Sequence, residues 1–329
     1  MIISIAMATY NGSRFIDEQL DSFADQTLLP DELVITDDGS SDETLDIAER
    51  FAGTAPFPVR VHRNPAQLGY SRNFEAAVAR CKGDIIFLSD QDDVWFPDKL
   101  ETVCAEFDKD DRTMAVVNGQ IITDGELKHQ GVTMLDNVSG LGMTSDGLIE
   151  GCCTAFRRRW GETLLPIPAE GDALIENRDL SHDKWLNELS ILLGVRGFIE
   201  RPLQYFRRHG DNTTQWIGNR PHAVSFGDLI KSRLKHAPAD AWLRRVQSLD
   251  LYEEWLNANR SRVEAMGISR IEQGLRALNE ERHSLVARAA LVRLPLFRRA
   301  PRIWQLWRRG GYEYFYKWKS ALRDVVRDA

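Results

Sequence analysis

The sequence predicts an α/β protein: a mostly parallel sheet flanked by helices, followed by a C-terminal helical appendage. Three observations point there. Short apolar runs alternate four times with amphipathic segments across residues 2–107. Each early run ends in a polar loop, and two of those loops are strongly acidic. The charge balance then reverses: residues 229–329 hold 21 Lys and Arg against 11 Asp and Glu, while residues 1–228 hold 21 against 38. Alternation of this kind implies parallel pairing through right-handed crossovers, and the charge reversal divides the chain into residues 1–228 and 229–329.

In chain order, Ile2 to Ala8 reads as the first strand, with Thr9-Tyr10-Asn11-Gly12 as its loop. Ser13 to Gln26 carries Phe15, Ile16, Leu20 and Phe23 at helical spacing. Leu33 to Thr36 is a second strand that stops at Asp37-Asp38-Gly39-Ser40, and Thr44 to Phe51 returns as a helix. Val59 to His62 is the third strand, followed by a loop with Pro65 and Gly69 and a helix from Asn73 to Cys81. The fourth unit is GDIIFLSDQDDVWFP, residues 83–97. Its unbroken run Ile85 to Leu88 suits a central strand buried on both faces, and a helix is expected from Pro97 to Phe107. Met114 to Asn118 and Gln120 to Thr123 then read as two strands. Gly125 to Gly147 reads as a glycine-punctuated, mobile stretch, and Ile149 to Phe156 as a strand. Asp183 to Leu193 reads as a helix, Val195 to Glu200 as a strand and Pro202 to Asn212 as a polar loop; helices follow from Asp228.

The chemistry concentrates at strand ends. Asp90, Asp92 and Asp93 put three carboxylates within four residues at the end of a buried strand, where open α/β sheets bind ligands. Such carboxylates repel unless protons or a cation intervene, so Mg²⁺ or Mn²⁺ is the natural counter-ion; an acidic turn capping the next helix is the plainer alternative. Asp38 could accept from a base N–H or a ribose hydroxyl, or could form an Asx turn. Arg72 opens a helix, where its fork could pair with phosphate oxygens or stay solvated.

Composition narrows the classes further. A chain with 43% hydrophobic and 28% charged residues is an ordinary globular one. Four cysteines without metal spacing point to a reducing, cytosolic setting. The N-terminal stretch lacks the pattern of a signal peptide, and no run of apolar residues suits a transmembrane helix. No Gly-x-Gly-x-x-Gly follows the first strand, which argues against a dinucleotide-binding dehydrogenase. Residues 285–329 hold 11 Lys and Arg against 3 Asp and Glu, interleaved with Trp304, Trp307, Tyr312, Tyr314, Phe315, Tyr316 and Trp318. That mixture suits the anionic inner face of a cell membrane, or else helices packing their aromatics inward. Nucleic acid is disfavoured by the acidity of the larger part.

ATYNG (8–12), DDGSSDET (37–44), LGYSRN (68–73) and SDQDDVWFPDKL (89–100) together resemble the nucleotide-sugar half of family 2 glycosyltransferases, inverting enzymes of the GT-A fold, over about residues 1–210. DQDDVW and YFRRHGDN (205–212) are similar to rhamnosyltransferase-like members that build bacterial surface polysaccharides. The resemblance implies a GT-A-like sheet and a dTDP- or UDP-linked sugar donor. It implies a saccharide or lipid-linked saccharide acceptor and transfer with inversion, with rhamnose as one candidate sugar. It places Thr9, Asn11, Asp38, Gly69, Arg72 and Asp90 around the donor and makes Asp92 the metal ligand, with His209 completing that site, touching the diphosphate, or lying as a solvated loop residue. Asp183, in SHDKWL, falls where the family keeps paired acids, with His182 at the first acidic position. As a general base Asp183 would take the acceptor hydroxyl's proton; as a plain residue it would cap its helix. Gly151 to Thr154 would line the acceptor side.

Two rivals stand beside this reading. Asp90-x-Asp92-x-Val94 is also similar to the nucleophile motif of haloacid-dehalogenase-type phosphatases, although that motif opens their fold and here it follows three βα units. The other rival is a non-catalytic scaffold that binds nucleotide sugars or glycans.

Overall fold

A computed structural model describes residues 1–140, 144–168, 181–210, 212, 239–312 and 318–326. The expected boundary at 228 falls outside them. The chain forms two compact units, one of residues 1–137, 145–167 and 182–220, the other of residues 138–144, 168–181 and 221–329.

The first unit is built on one sheet in the order β3-β2-β1-β4-β8-β6-β9-β5, with β7 paired to the far end of β6 beyond β8. Strands β1 (Ile3–Thr9), β2 (Glu32–Asp37), β3 (Val59–Arg63) and β4 (Ile85–Ser89) pair in parallel. They are joined by α1 (Ile16–Ala24), α2 (Thr44–Ala52) and α3 (Tyr70–Val78). This is the alternation expected from the sequence, and its cause is visible. All five residues of β4 are buried, and Ile5, Leu33, Ile35, Ile85 and Phe87 share a core with Ile16, Leu20 and Phe23 of α1.

The other half of the sheet is mixed. It contains β5 (Val94–Trp95), β6 (Ala115–Thr123), β7 (His129–Thr133), β8 (Thr154–Arg157) and β9 (Arg196–Arg207). Helices α4 (Lys99–Lys109), α5 (Met134–Gly140), α6 (Arg158–Leu164) and α7 (His182–Leu192) accompany them. Strand β8 runs antiparallel to both β4 and β6, and β9 runs parallel to β6.

Three local expectations are corrected here. The two strands expected over 114–123 are one strand, β6. The stretch expected to be mobile over 125–147 holds β7 and α5 among its described residues. The polar loop expected from Pro202 is the second half of β9. Proline lacks the N–H a sheet ladder needs, and the strand survives it through a bulge: the β6–β9 register shifts on both sides of Gly119, which sits opposite Pro202. A Cβ on Gly119 would lie 2.4 Å from the Glu200 carbonyl and 3.1 Å from Pro202 N. Gly119→Ala must therefore push β9 off β6, at an expected cost of about 1–3 kcal/mol, measured by denaturant unfolding.

The second unit is helical: α8 (Ala239–Ala258), α9 (Arg260–Ala265), α10 (Ile271–Val292), α11 (Leu296–Arg308) and α12 (Trp318–Val326). Helices α8 and α10 run antiparallel. Arg288 lies over the Trp242 ring, and Arg282 pairs with Asp250 and Glu253. Arg288 also forms a buried two-toothed pair with Asp324, which accepts a third bond from the Tyr312 hydroxyl. No helix among the described residues is long and apolar enough to cross a membrane.

Candidate functional site

The four parallel strands deliver their loops to the same edge of the sheet, and side chains stitch those loops together. Thr9 closes β1 and donates its hydroxyl to Asp37 at the end of β2. Asn11 has φ +49°, the left-handed region that asparagine tolerates better than most residues. Its N–H donates to Ser40 Oγ at 2.8 Å, while its Oδ1 accepts from Ser41 N at 2.9 Å. Tyr10 exchanges two bonds with the side-chain amide of Gln91, binding the first loop to the acidic one.

Asp37, rather than Asp38, makes the Asx turn, accepting from Gly39 N and Ser40 N. The buried Asp38 carboxylate reaches across to the loop after β3. Its Oδ1 accepts from Asn64 Nδ2 at 3.0 Å and Leu68 N at 2.7 Å, and its Oδ2 from Gly69 N at 2.8 Å. Gly69 precedes α3 with φ +83° and ψ 159°, a conformation that essentially only glycine adopts. Arg72 pairs with Glu75 one turn along, Nη1 to Oε2 at 2.6 Å.

The acidic loop after β4 divides its three carboxylates. Asp92 faces His209, with Oδ2 2.8 Å from Nε2, and accepts from Asn212 Nδ2 at 3.2 Å. Asp93 turns inward: its Oδ2 accepts from Gln204 Nε2 at 2.9 Å and its Oδ1 from Arg207 N at 3.2 Å. Asp90 shares its surroundings with Asp92, Asp93, Asp183 and Glu150. Burial, followed by repulsion from those four, holds its carboxyl well above the usual range. Burial and then Asp92 push Asp93 up to about 7, and burial, then Asp183 and Asp93, push Glu150 up to about 8. A buried cation on α4 answers them: Lys99 donates to Gln204 Oε1 and the Cys152 carbonyl, and burial lowers it to about 8.

Asp183 stands in the first turn of α7, whose start is tied down by Asn187. That amide donates to the Asp183 carbonyl at 3.0 Å and to Thr154 Oγ1 at 3.2 Å, and Thr154 in turn donates to the Glu150 carbonyl. The segment 150–154 and the start of α7 are thus held as one piece. His182 is buried instead, stacked on Phe74 with ring centroids 4.2 Å apart, and burial lowers its pKa. A Cβ on Gly151 would strike the His182 ring, so the glycine makes room for it.

Sequence reading brought Asp90, Asp92, Asp183 and His209 to this edge but missed the residues that hold them. Glu150, Lys99, Gln204 and Arg207 come from other elements, and of these only Lys99 and Arg207 lay inside quoted motifs. The Arg207 guanidinium is buried over the Phe15 ring at 4.7 Å. Nε donates to the Asp92 carbonyl at 2.8 Å, Nη1 to the Gly125 carbonyl at 2.7 Å, and Nη2 pairs with Glu18. Arg207→Lys leaves at least one of these partners without a donor, because a point ammonium cannot reproduce the fork. We expect a loss of about 2–3 kcal/mol in denaturant unfolding, since the group is buried, together with weaker cation binding from a loosened Asp92.

Two kinds of cation site are conceivable within this cluster. Asp90, Asp93 and Cys152 have ligand atoms within 4.8 Å of one another, but burial keeps the Cys152 thiol protonated and Asp93 is already held by Gln204 and Arg207. Asp92 Oδ2 and His209 Nε2, facing each other at the edge, fit a hard or borderline dication better.

Comparison with known proteins follows the same lines. Residues 4–164 match the model of "Glycosyl transferase family 2". An uncharacterized glycosyltransferase of Nostoc is 26% identical over 226 residues, 64% of this chain and 66% of that protein. The dTDP-rhamnosyl transferase RfbG of Shigella flexneri is 36% identical over 99 residues, 29% of this chain and 34% of that one. The chain therefore spans two thirds of its curated relatives' length or less. Among solved structures, S. aureus TarS (residues 1–349) in complex with UDP-GlcNAc superposes with a TM-score of 0.55 at 16% identity, covering 99% of this chain and 90% of that one. The likeness shows the GT-A-type fold. Over residues 4–164, whose strand tips carry the carboxylates, the chain is thus similar to family 2 of the glycosyl transferases.

Proposed function

We propose that the protein transfers a sugar, with inversion, from a nucleotide diphosphate to a saccharide hydroxyl during surface polysaccharide synthesis. The observation that carries this reading is the carboxylate cluster itself. Asp92, Asp93, Asp183 and Glu150 all act on Asp90 at the carboxyl edge of the sheet, and Asp92 meets His209 there. A carboxylate-rich pocket repels a diphosphate unless a cation intervenes, so Asp92 and His209 would hold Mg²⁺ or Mn²⁺. When bound, the ion would offset the charge on the departing nucleotide.

Asp183, anchored at the start of α7, is the base that takes the acceptor's proton. Thr9, Asn11, Asp38, Gly69 and Arg72 shape the donor side: Asp38 orders the 64–69 loop, and Arg72 can swing from Glu75 toward phosphate oxygens. The name of the Shigella relative makes dTDP-rhamnose the first donor to try, with UDP-sugars second, and a lipid-linked saccharide is a fitting acceptor class. Thermal-shift measurement against a panel of nucleotide sugars, with and without Mn²⁺, tests the reading. A shift that needs both sugar nucleotide and cation is expected. Phosphate release from simple esters without any nucleotide sugar would favour the phosphatase, and cation-independent binding without turnover would favour the scaffold.

A further inference from the structure

One face of α11 answers to nothing in the transfer chemistry. Phe297 is 76% exposed, Trp304 64% and Trp307 39%. At 100° per residue, Phe297, Ala300, Trp304 and Trp307 fall within a sector of about 80°. The exposed arginines Arg308, Arg298, Arg309 and Arg302 follow round the helix on one side of that sector. The opposite side is accounted for: Ile303 and Leu306 pack with Leu291 and Tyr312, and Arg299 is buried, donating to the Leu294 and Val292 carbonyls. No Asp or Glu occurs anywhere from residue 282 to residue 312.

We infer that this face of α11 docks on an anionic membrane surface. Exposed Trp and Phe rings side by side with arginines suit the headgroup layer: the rings enter the acyl boundary and the guanidiniums pair with lipid phosphates. The helix is 13 residues long, about 20 Å, and too charged to cross a bilayer, so it would lie in the plane. A second copy is a poor occupant, because two such faces would set arginines against arginines with no acid between them. The docking is independent of the transfer reaction and stands or falls separately.

The test is co-sedimentation of the full chain with phosphatidylcholine vesicles, with and without phosphatidylglycerol, at low and high salt. Binding is expected only with phosphatidylglycerol and is expected to fail at high salt. Arg298→Gln, Arg302→Gln and Arg308→Gln together should weaken it on the order of 100-fold, at roughly fivefold per arginine. These side chains are exposed, so an unchanged melting curve is expected to accompany the loss. Trp304→Ala with Trp307→Ala should abolish the part of the fluorescence quenching by brominated lipid that these rings supply. No binding to phosphatidylglycerol vesicles at low salt overturns the inference, as does full binding by the triple arginine variant. Capture of duplex DNA or self-association through this face, without vesicle binding, overturns it in favour of those partners.

Discussion

Asp183→Asn is expected to lower turnover by about 10²–10⁴-fold, the usual contribution of a positioned general base, while leaving donor affinity within a few-fold. The amide keeps the size and the first-turn position of the carboxylate but cannot accept a proton. Its scaffold is independent of its charge: Asn187 holds the Asp183 carbonyl, not its side chain, so α7 should keep its place. The neighbouring carboxyl, Glu150, is the obvious competitor for the role. Burial and the charges of Asp183 and Asp93 push it up to about 8, so at neutral pH it carries its proton and cannot take another. Glu150→Gln resembles the protonated form and is expected to cost less than about tenfold in turnover at pH 7. Initial rates for both variants, with donor binding by calorimetry alongside, separate the assignments. Equal losses, or the larger loss at Glu150, would move the base to the other carboxyl, and donor binding without turnover in native chain and variants alike would favour the binding scaffold.

How far the sequence exposes this site depends on whether a residue's partner is local. The β4 run was legible because a strand buried on both faces must be continuously apolar, and its acids could only emerge at the strand's end. Strand β9 was not, because Pro202 ordinarily ends a strand; what rescues it is a bulge opposite Gly119, a tertiary arrangement no local pattern announces. Asp38 carried a polar-loop signature, but the direction of its carboxylate, toward Leu68 N and Gly69 N, follows from how the β3 loop returns. The Asp90–Asp183 meeting bridges ninety residues and was reached through family resemblance, not through spacing. Arg207 and Lys99 stayed hidden for the opposite reason: they look like ordinary basic residues until the fold buries them. The aromatic and basic character of α11 was readable, but which rings face outward was not, since Tyr312 from the same run lies in the core.

Asp92→Asn separates function from stability most clearly, because its charge serves one and opposes the other. Without a cation, the Asp92 carboxylate stands among acids and raises both Asp90 and Asp93. An amide at this position removes that repulsion, and its carbonyl oxygen can still accept from His209 and Asn212. The cation-free variant is therefore expected to be as stable as the native chain or more so, by up to about 1 kcal/mol, as is common where a site holds like charges together. Turnover should move the other way, falling at least about 10²-fold as the charged ligand is lost. Mn²⁺ titration by calorimetry should show weaker binding, and the native protein's gain in melting temperature on adding Mn²⁺ should shrink in the variant. Cys152→Ser makes the complementary control: its thiol is neutral, so cation affinity should be unchanged if Asp92 and His209 are the ligands. If Cys152→Ser weakens Mn²⁺ binding while Asp92→Asn does not, the ion sits deeper, between Asp90 and Asp93. The diphosphate would then have to approach from the Lys99 side of the cluster, where the acids are answered by a buried cation.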